Sequence, residues 1–147
     1  VRSAEHLLAV HEEDRAGLAE AGVTAVLLPV TPFASLSGTR SPGREMVDAN
    51  VPVALGTDCS PNSWVESMPL VLAHAVYSAR LTPAEAITAA TVNAAHASGL
   101  AEVAGTLAPG RSADFVAFDV PSLEGIPYRI DARPALISRQ GIVTSSR

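Results

Sequence analysis

Apolar runs alternate with amphipathic stretches over the first half of the chain, which predicts strands separated by helices. Residues 23–28 and 51–56 are continuous apolar runs, as is typical of strands buried on both faces of a parallel sheet. Acidic residues begin the segment 12–21, where the helix dipole favours them, so a short helix is expected there. Proline, serine, glycine and threonine predominate in residues 30–43 and predict a loop, and a short helix is expected over residues 44–49.

Two further helices are predicted in the middle of the chain. Residues 65–80 carry apolar side chains at spacings of i, i+3, i+4, i+7 and i+8, which is the pattern of one buried helix face. Thr82, Pro83 and Glu85 have the order of a capping box with proline at the first helical position. The helical composition that follows is expected to break near Thr91.

The last third of the chain has the pattern of antiparallel strands. Residues 113–120 and 135–144 predict strands, and Gln140-Gly141 predicts a tight turn inside the second segment. We therefore expect βα units over residues 1–104 and a small β unit over residues 105–147. Two or three βα units cannot close a sheet or a barrel alone, so we expect the chain to be part of a longer α/β enzyme.

Composition narrows the function classes. The 147 residues are 48% apolar and 17% charged, which suits a globular core and not a disordered chain. The net charge is −5 and every basic residue is an arginine, without a basic cluster, so no nucleic-acid partner is expected. No apolar run is long enough for a membrane helix, and no membrane partner is expected. Cys59 is the only cysteine, which excludes an intrachain disulfide and favours a cytoplasmic setting.

Two residues are candidates for chemistry because of where they stand relative to predicted strands. Asp58 directly follows a buried strand and begins a polar loop, and parallel α/β folds build their sites at such strand ends. A carboxylate there can bind a metal or act as a base, and the alternative is a cap of a helix or turn. His6 is placed to end a preceding strand, where it could orient or protonate a substrate. A hydrogen-bonded structural histidine is the alternative for that position.

The residues around Asp58 have less specific patterns. The loop Ser60-Pro61-Asn62-Ser63 offers short polar side chains that could contact a substrate, and an ordinary turn is the alternative. Cys59 is predicted to be a small buried thiol, because no base partner can be assigned to it. Trp64 and Met68 are predicted to belong to the core. The remaining histidines are predicted to be surface or packing residues; they are His11, His74 and His96.

Seven short segments, spread over nearly the whole chain, carry a resemblance to a known family. They are Ala4-Glu5-His6-Leu7, Ala25-Val26-Leu27-Leu28-Pro29, Ala54-Leu55-Gly56-Thr57-Asp58, Thr91-Val92-Asn93-Ala94-Ala95, Gly105-Thr106-Leu107, Gly110-Arg111-Ser112-Ala113-Asp114 and Ile126-Pro127-Tyr128. Together they resemble the C-terminal part of the imidazolonepropionase family of metal-dependent amidohydrolases. The segments at 25–29 and 126–128 resemble that family most narrowly, whereas the others are typical of the wider superfamily.

The resemblance implies a fold and an activity. The fold would be a TIM-like (β/α)8 barrel with a small β-sandwich, of which this chain supplies the last barrel strands and part of the sandwich. The reaction would be hydrolytic opening of the ring of 4-imidazolone-5-propanoate to N-formimidoyl-L-glutamate, a step of histidine degradation. One divalent metal, zinc or iron, is implied. Asp58 matches the family's metal-binding aspartate, which also takes a proton from the attacking water, and His6 matches its catalytic histidine.

The chain departs from the family pattern after Asp58. Ser60 stands where the family has asparagine and Asn62 where it has glycine, both at positions that contact the product, whereas Ser63 still fits a substrate-binding role. Another cyclic amidohydrolase or deaminase is therefore the enzymatic alternative, and a non-catalytic truncated scaffold is the alternative of another class. The remaining metal ligands are expected upstream, so the chain alone is expected to be inactive. The partner would be a small-molecule substrate, and a homodimer is an expectation for the full-length protein, since family members are often dimers.

Overall fold

Three parallel strands form the first sheet of the protein. The computed structural model describes residues 1–144. The strands β1 (Ser3–Glu5), β2 (Thr24–Leu27) and β3 (Val53–Leu55) lie side by side in that order. The register places Ala4 opposite Ala25 in the first pair and Val26 opposite Ala54 in the second. The predicted parallel sheet of buried apolar strands is therefore confirmed.

Six helices surround or connect these strands. They are α1 (Glu12–Glu20), α2 (Thr31–Ala34), α3 (Gly43–Asp48), α4 (Met68–Tyr77), α5 (Pro83–Ala90) and α6 (Val92–Ala97). One hydrophobic core forms where the sheet packs against the middle helices, and its fully buried side chains include Leu27, Met46 and Val71. Burial of a side chain of this size contributes about 1.5–3 kcal/mol. None of the helices within residues 1–144 is long and apolar enough to span a lipid bilayer.

The boundaries of the middle helices follow from their caps. Thr82 and Glu85 form the predicted capping box, in which each side chain accepts the backbone N–H of the other residue. The predicted break at Thr91 is confirmed, and the Thr91 hydroxyl donates to the Ile87 carbonyl at 2.7 Å. The predicted helix over 65–80 is too long, because the Ser67 side chain caps α4 by accepting the N–H of Leu70.

One helix falls where the sequence predicted only a loop. The single turn α2 occupies part of the segment 30–43, so the prediction of an irregular loop over that whole segment is wrong. Pro32 lies in the first turn of α2, where proline is tolerated because its missing N–H has no partner in a helix. Thr31, the first residue of α2, therefore lies shortly after the end of β2.

A second sheet follows in the last third of the chain. It contains β4 (Phe115–Ala117), β5 (Leu136–Arg139) and β6 (Ile142–Thr144), all antiparallel, and the short helix α7 (Gly125–Tyr128) lies between the first two strands. Gln140 and Gly141 have φ of 51° and 79°, the values of a type I′ turn, which confirms the predicted tight turn. The chain is therefore mixed α/β, as expected, while the division into two domains at residue 104 stays a prediction.

Candidate active site

Three polar side chains lie at one edge of the first sheet, just beyond its parallel strands. Their carboxyl ends lie at the same edge, where His6 follows β1, Thr31 follows β2 and Asp58 follows β3. β1 and β3 are separated by one strand, so their ends lie about 10 Å apart, two strand spacings. This is the edge at which parallel α/β folds place their sites.

The carboxylate of Asp58 is held by a side chain from the neighbouring strand end. The Thr31 hydroxyl donates a hydrogen bond to Asp58 Oδ2 at 2.7 Å, in a half-buried position. Asp58 has a φ of 55°, a left-handed conformation that aspartate tolerates better than most residues. A carboxylate that caps a helix or turn accepts a backbone N–H, and no such bond to Asp58 occurs in residues 1–144. The alternative of a cap thus finds no backbone partner among those residues, and the role of Asp58 stays a prediction.

His6 leaves β1 through a sharp turn. Its backbone N–H extends the ladder to the Val26 carbonyl at 3.0 Å, and the Leu7 N–H then bonds back to the Glu5 carbonyl at 2.9 Å. His6 and Leu7 both have positive φ, 64° and 56°. The imidazole is exposed at the strand edge and makes no hydrogen bond to any side chain or backbone group of the described chain. The alternative of a hydrogen-bonded structural histidine thus finds no partner among those residues.

The loop after Asp58 folds into a tight hairpin. Ser60 and Ser63 exchange both backbone hydrogen bonds, at 3.0 and 3.1 Å, with Pro61 and Asn62 at the corner. Asn62 is exposed and Ser60 is half-buried. Ser63 is only 5% exposed, and its hydroxyl has no hydrogen-bond partner within residues 1–144. A contact between Ser63 and a substrate therefore requires a local rearrangement, and the substrate-binding roles of all three residues stay predictions.

Two predictions for this loop are wrong. Cys59, predicted to be a buried thiol, is exposed, and Trp64, predicted to be core, is 75% exposed. The reason is the path of the chain after the left-handed turn at Asp58, because Ser63 and Val65 are buried while Trp64 between them faces solvent. Met68 is partly buried against the core, as predicted.

The other histidines lie on α4, on α6 and just before α1. His74 packs on the ring of Phe33 with centroids 5.1 Å apart, and burial lowers its pKa. His11 and His96 are exposed, so all three are surface or packing residues, as predicted. In the part of the chain that the structure describes, no three His, Cys, Asp or Glu side chains are grouped to hold a metal ion. The described residues therefore do not form a complete metal site by themselves.

Thr31 is the residue of this site that sequence reasoning missed. It lies in the predicted loop 30–43, and its position shortly after the buried strand predicted over 23–28 is the available signal. Asn93 of the TVNAA segment has a different role, since its Nδ2 donates to the Val53 carbonyl at 2.7 Å. That bond fastens α6 to β3, so this part of the motif is explained by packing.

The sequence of this chain matches the model of the amidohydrolase family over residues 1–143. The chain belongs to the amidohydrolase family. Among curated proteins, this amidohydrolase chain is 48% identical over 127 residues to the imidazolonepropionase of Geobacillus kaustophilus, with 86% of the chain covered. It is 41% identical over 142 residues to the imidazolonepropionase of Pyrobaculum arsenaticum, with 96% of the chain covered. The resemblance inferred from the sequence is thereby confirmed.

Structural similarity extends the comparison beyond imidazolonepropionases. The crystal structure of an adenosine deaminase from Xanthomonas campestris with bound zinc superposes with a TM-score of 0.80 at 25% identity and covers 96% of the amidohydrolase chain. The chain spans 36% of that deaminase and 30% of the Geobacillus relative. The three strands of the first sheet thus correspond to a minor part of a larger fold, and the closed barrel remains an expectation from the family.

Proposed function

We propose that this chain is part of an enzyme that hydrolyses the ring of 4-imidazolone-5-propanoate to N-formimidoyl-L-glutamate. The observation that carries the proposal is Asp58, held by Thr31 at the same strand edge as His6. The identity of 48% to a curated imidazolonepropionase supports this substrate. The full-length protein would consist of this chain and the residues that complete the barrel.

The chemistry of Asp58 fits one position of a divalent metal site. Thr31 bonds to Oδ2, and no hydrogen bond from residues 1–144 reaches Oδ1, so one oxygen is free to bind zinc or iron. Catalytic zinc sites use about three protein ligands, so the others would come from outside this chain. The adenosine deaminase with bound zinc supports a metal in this fold. Such an ion supplies a water that is activated at neutral pH.

The chain's own residues would divide the remaining tasks. Asp58 accepts the proton of the attacking water, and the exposed imidazole of His6 donates a hydrogen bond to the carbonyl oxygen on which negative charge develops. Asn62 is exposed and Ser60 is half-buried, so both can contact the substrate from the hairpin. Ser63 contacts it only after a local rearrangement exposes its buried hydroxyl.

A deaminase or another cyclic amidohydrolase is the second candidate. Ser60 and Asn62 replace residues of the imidazolonepropionase pattern, and the fold is shared with an adenosine deaminase. Both reactions need a base and a proton donor at the strand ends, so the site residues alone do not separate them. The substrate-contacting hairpin at 60–63 is the feature that would differ between the two enzymes.

The experiment is a comparison of substrates with the full-length protein. Loss of imidazolone absorbance is measured with 4-imidazolone-5-propanoate, and ammonia release is measured with adenosine and guanine, with metal content determined on the same samples. Ring opening that is abolished in Asp58→Asn supports the proposal. Ammonia release without ring opening favours the deaminase, and the absence of both activities in metal-loaded protein contradicts the proposal and leaves another cyclic amidohydrolase or the scaffold.

A further inference from the structure

The hydroxyl of Thr31 does not cap the helix α2, in which Thr31 is the first residue. A threonine followed by proline at a helix start is a typical N-cap, in which the hydroxyl accepts a backbone N–H of the first turn. Here α2 begins at Thr31 itself, and no side chain caps it at Val30. The Thr31 hydroxyl instead donates to Asp58, 27 residues further along the chain.

Both partners of this bond are fixed by the sheet. The Thr31 N–H bonds to the Leu28 carbonyl at 3.0 Å, and both Leu28 and Pro32 are buried. On the other side, the Gly56 N–H continues the ladder to the Leu27 carbonyl at 3.0 Å. The register of β2 against β3 therefore sets the distance between the hydroxyl and the carboxylate.

The backbone of Asp58 has a left-handed conformation. A non-glycine residue with a φ of 55° is in a sparsely populated conformation, which persists when its surroundings fix it. Within the described residues, the Thr31 hydroxyl is the hydrogen-bond partner of the Asp58 carboxylate. Because the bond reaches Oδ2, the geometry leaves Oδ1 as the oxygen without a protein partner.

We propose that Thr31 is a positioning residue, which holds Asp58 by Oδ2 and thereby presents Oδ1 alone to the divalent cation. Carboxylates that bind metals are commonly oriented by a hydrogen bond from a neighbouring residue, and loss of that bond typically costs about 10–100-fold in metal affinity or activity. This role of Thr31 rests on the proposed function in one respect, which is the presence of a divalent metal. It does not depend on which substrate the enzyme uses.

The test uses the full-length protein and zinc as the probe. Thr31→Val removes the hydroxyl at nearly constant shape, Thr31→Ser keeps it, and Thr39→Val is the matched control on an exposed loop. Zinc affinity is measured by competition with a chromogenic chelator, and kcat and KM are measured separately. Thr31→Val is expected to weaken zinc binding about 10–100-fold and to lower kcat more than KM changes. Thr31→Ser and Thr39→Val are expected to stay close to the wild type.

A double-mutant cycle identifies the route of the effect. In an Asp58→Asn background, Thr31→Val is expected to cause little further loss of zinc affinity, since its partner carboxylate is gone. Unchanged zinc affinity in Thr31→Val, or a loss in Thr31→Ser as large as in Thr31→Val, overturns the assignment. Wild-type protein that binds zinc but leaves imidazolonepropanoate intact overturns the proposed function alone. Wild-type protein that binds neither zinc nor ferrous iron overturns both.

Discussion

The guanidinium of Arg44 binds the carboxylate of Glu85 with two hydrogen bonds, Nη1 to Oε2 at 3.1 Å and Nη2 to Oε1 at 3.0 Å. This pair joins α3 to the start of α5. Glu85 Oε2 also accepts the backbone N–H of Thr82 at 2.7 Å, so one carboxylate completes both the capping box and the helix–helix contact. The hydrogen bond from Arg44 lowers the pKa of Glu85 below its ordinary value, although partial burial raises it.

Glu85→Gln is expected to destabilise the protein by up to about 1 kcal/mol at neutral pH. Glutamine keeps an acceptor for Thr82 but loses the charge that binds Arg44. Because the pKa of Glu85 is lower in the folded state, its contribution is present above the unfolded pKa and is lost as pH falls through the folded pKa. Urea unfolding of both proteins is measured at neutral and acidic pH, with the exposed Glu102→Gln as control. A stability difference that persists in acid would contradict this account.

Asp58→Asn in the full-length protein is expected to lower turnover more than metal occupancy. The amide oxygen can still bind a cation, but it cannot accept a proton, and loss of a positioned base typically costs about 10²–10⁴-fold in rate. The assay is loss of imidazolone absorbance, with metal content measured on the same sample. Near-normal turnover by this variant would return Asp58 to a structural role. Asp48→Asn, at an exposed carboxylate on α3, serves as the control.

Ser63→Ala tests the buried hydroxyl of the hairpin. If Ser63 contacts the substrate, its loss is expected to raise KM with a smaller change in kcat, as for a contact shared by ground and transition states. Because the hydroxyl is buried without a partner among residues 1–144, its removal is expected to leave stability equal or higher. Steady-state kinetics and thermal unfolding are compared with Ser98→Ala, at an exposed serine. An unchanged KM would assign Ser63 to the fold of the hairpin.

The 147-residue chain alone is expected to bind zinc weakly and to open no ring. Asp58 supplies one ligand, and the structure groups no three ligand side chains within residues 1–144. A calorimetric titration with zinc checks this expectation, with the Asp58→Asn chain as reference. Tight, stoichiometric binding by the isolated chain would show that its ligands have been assigned wrongly.

Much of the fold was predictable because its signals are local. The capping box of Thr82 and Glu85, the break at Thr91 and the turn at Gln140-Gly141 each depend on residues within four positions of one another. The buried strands were predictable from continuous apolar runs, and their parallel order places His6 and Asp58 at one edge.

The rest of the site depends on contacts between distant parts of the chain. The bond from Thr31 to Asp58 crosses 27 residues, and no periodicity marks it. The exposure of Cys59 and Trp64 depends on the path of the hairpin after Asp58, whose positive φ the residue type permits but does not require. The predictions for these two side chains assumed that an apolar residue beside a buried strand returns to the core.

The hydrogen bond from Asn93 to Val53 affects how the first sheet can grow. Pro52 and Gly56 bond to β2, so by the alternation of a strand the carbonyl of Val53 lies on the outer edge of β3. A sheet edge with free backbone groups invites another strand, and here the amide of Asn93 already occupies one of them. An added strand must share or displace that amide near Val53. By the same alternation Leu55 faces this edge, and no loop or side chain of the described residues bonds to its backbone. We therefore expect an added strand to pair with β3 near Leu55, at the end of the strand that leads to Asp58.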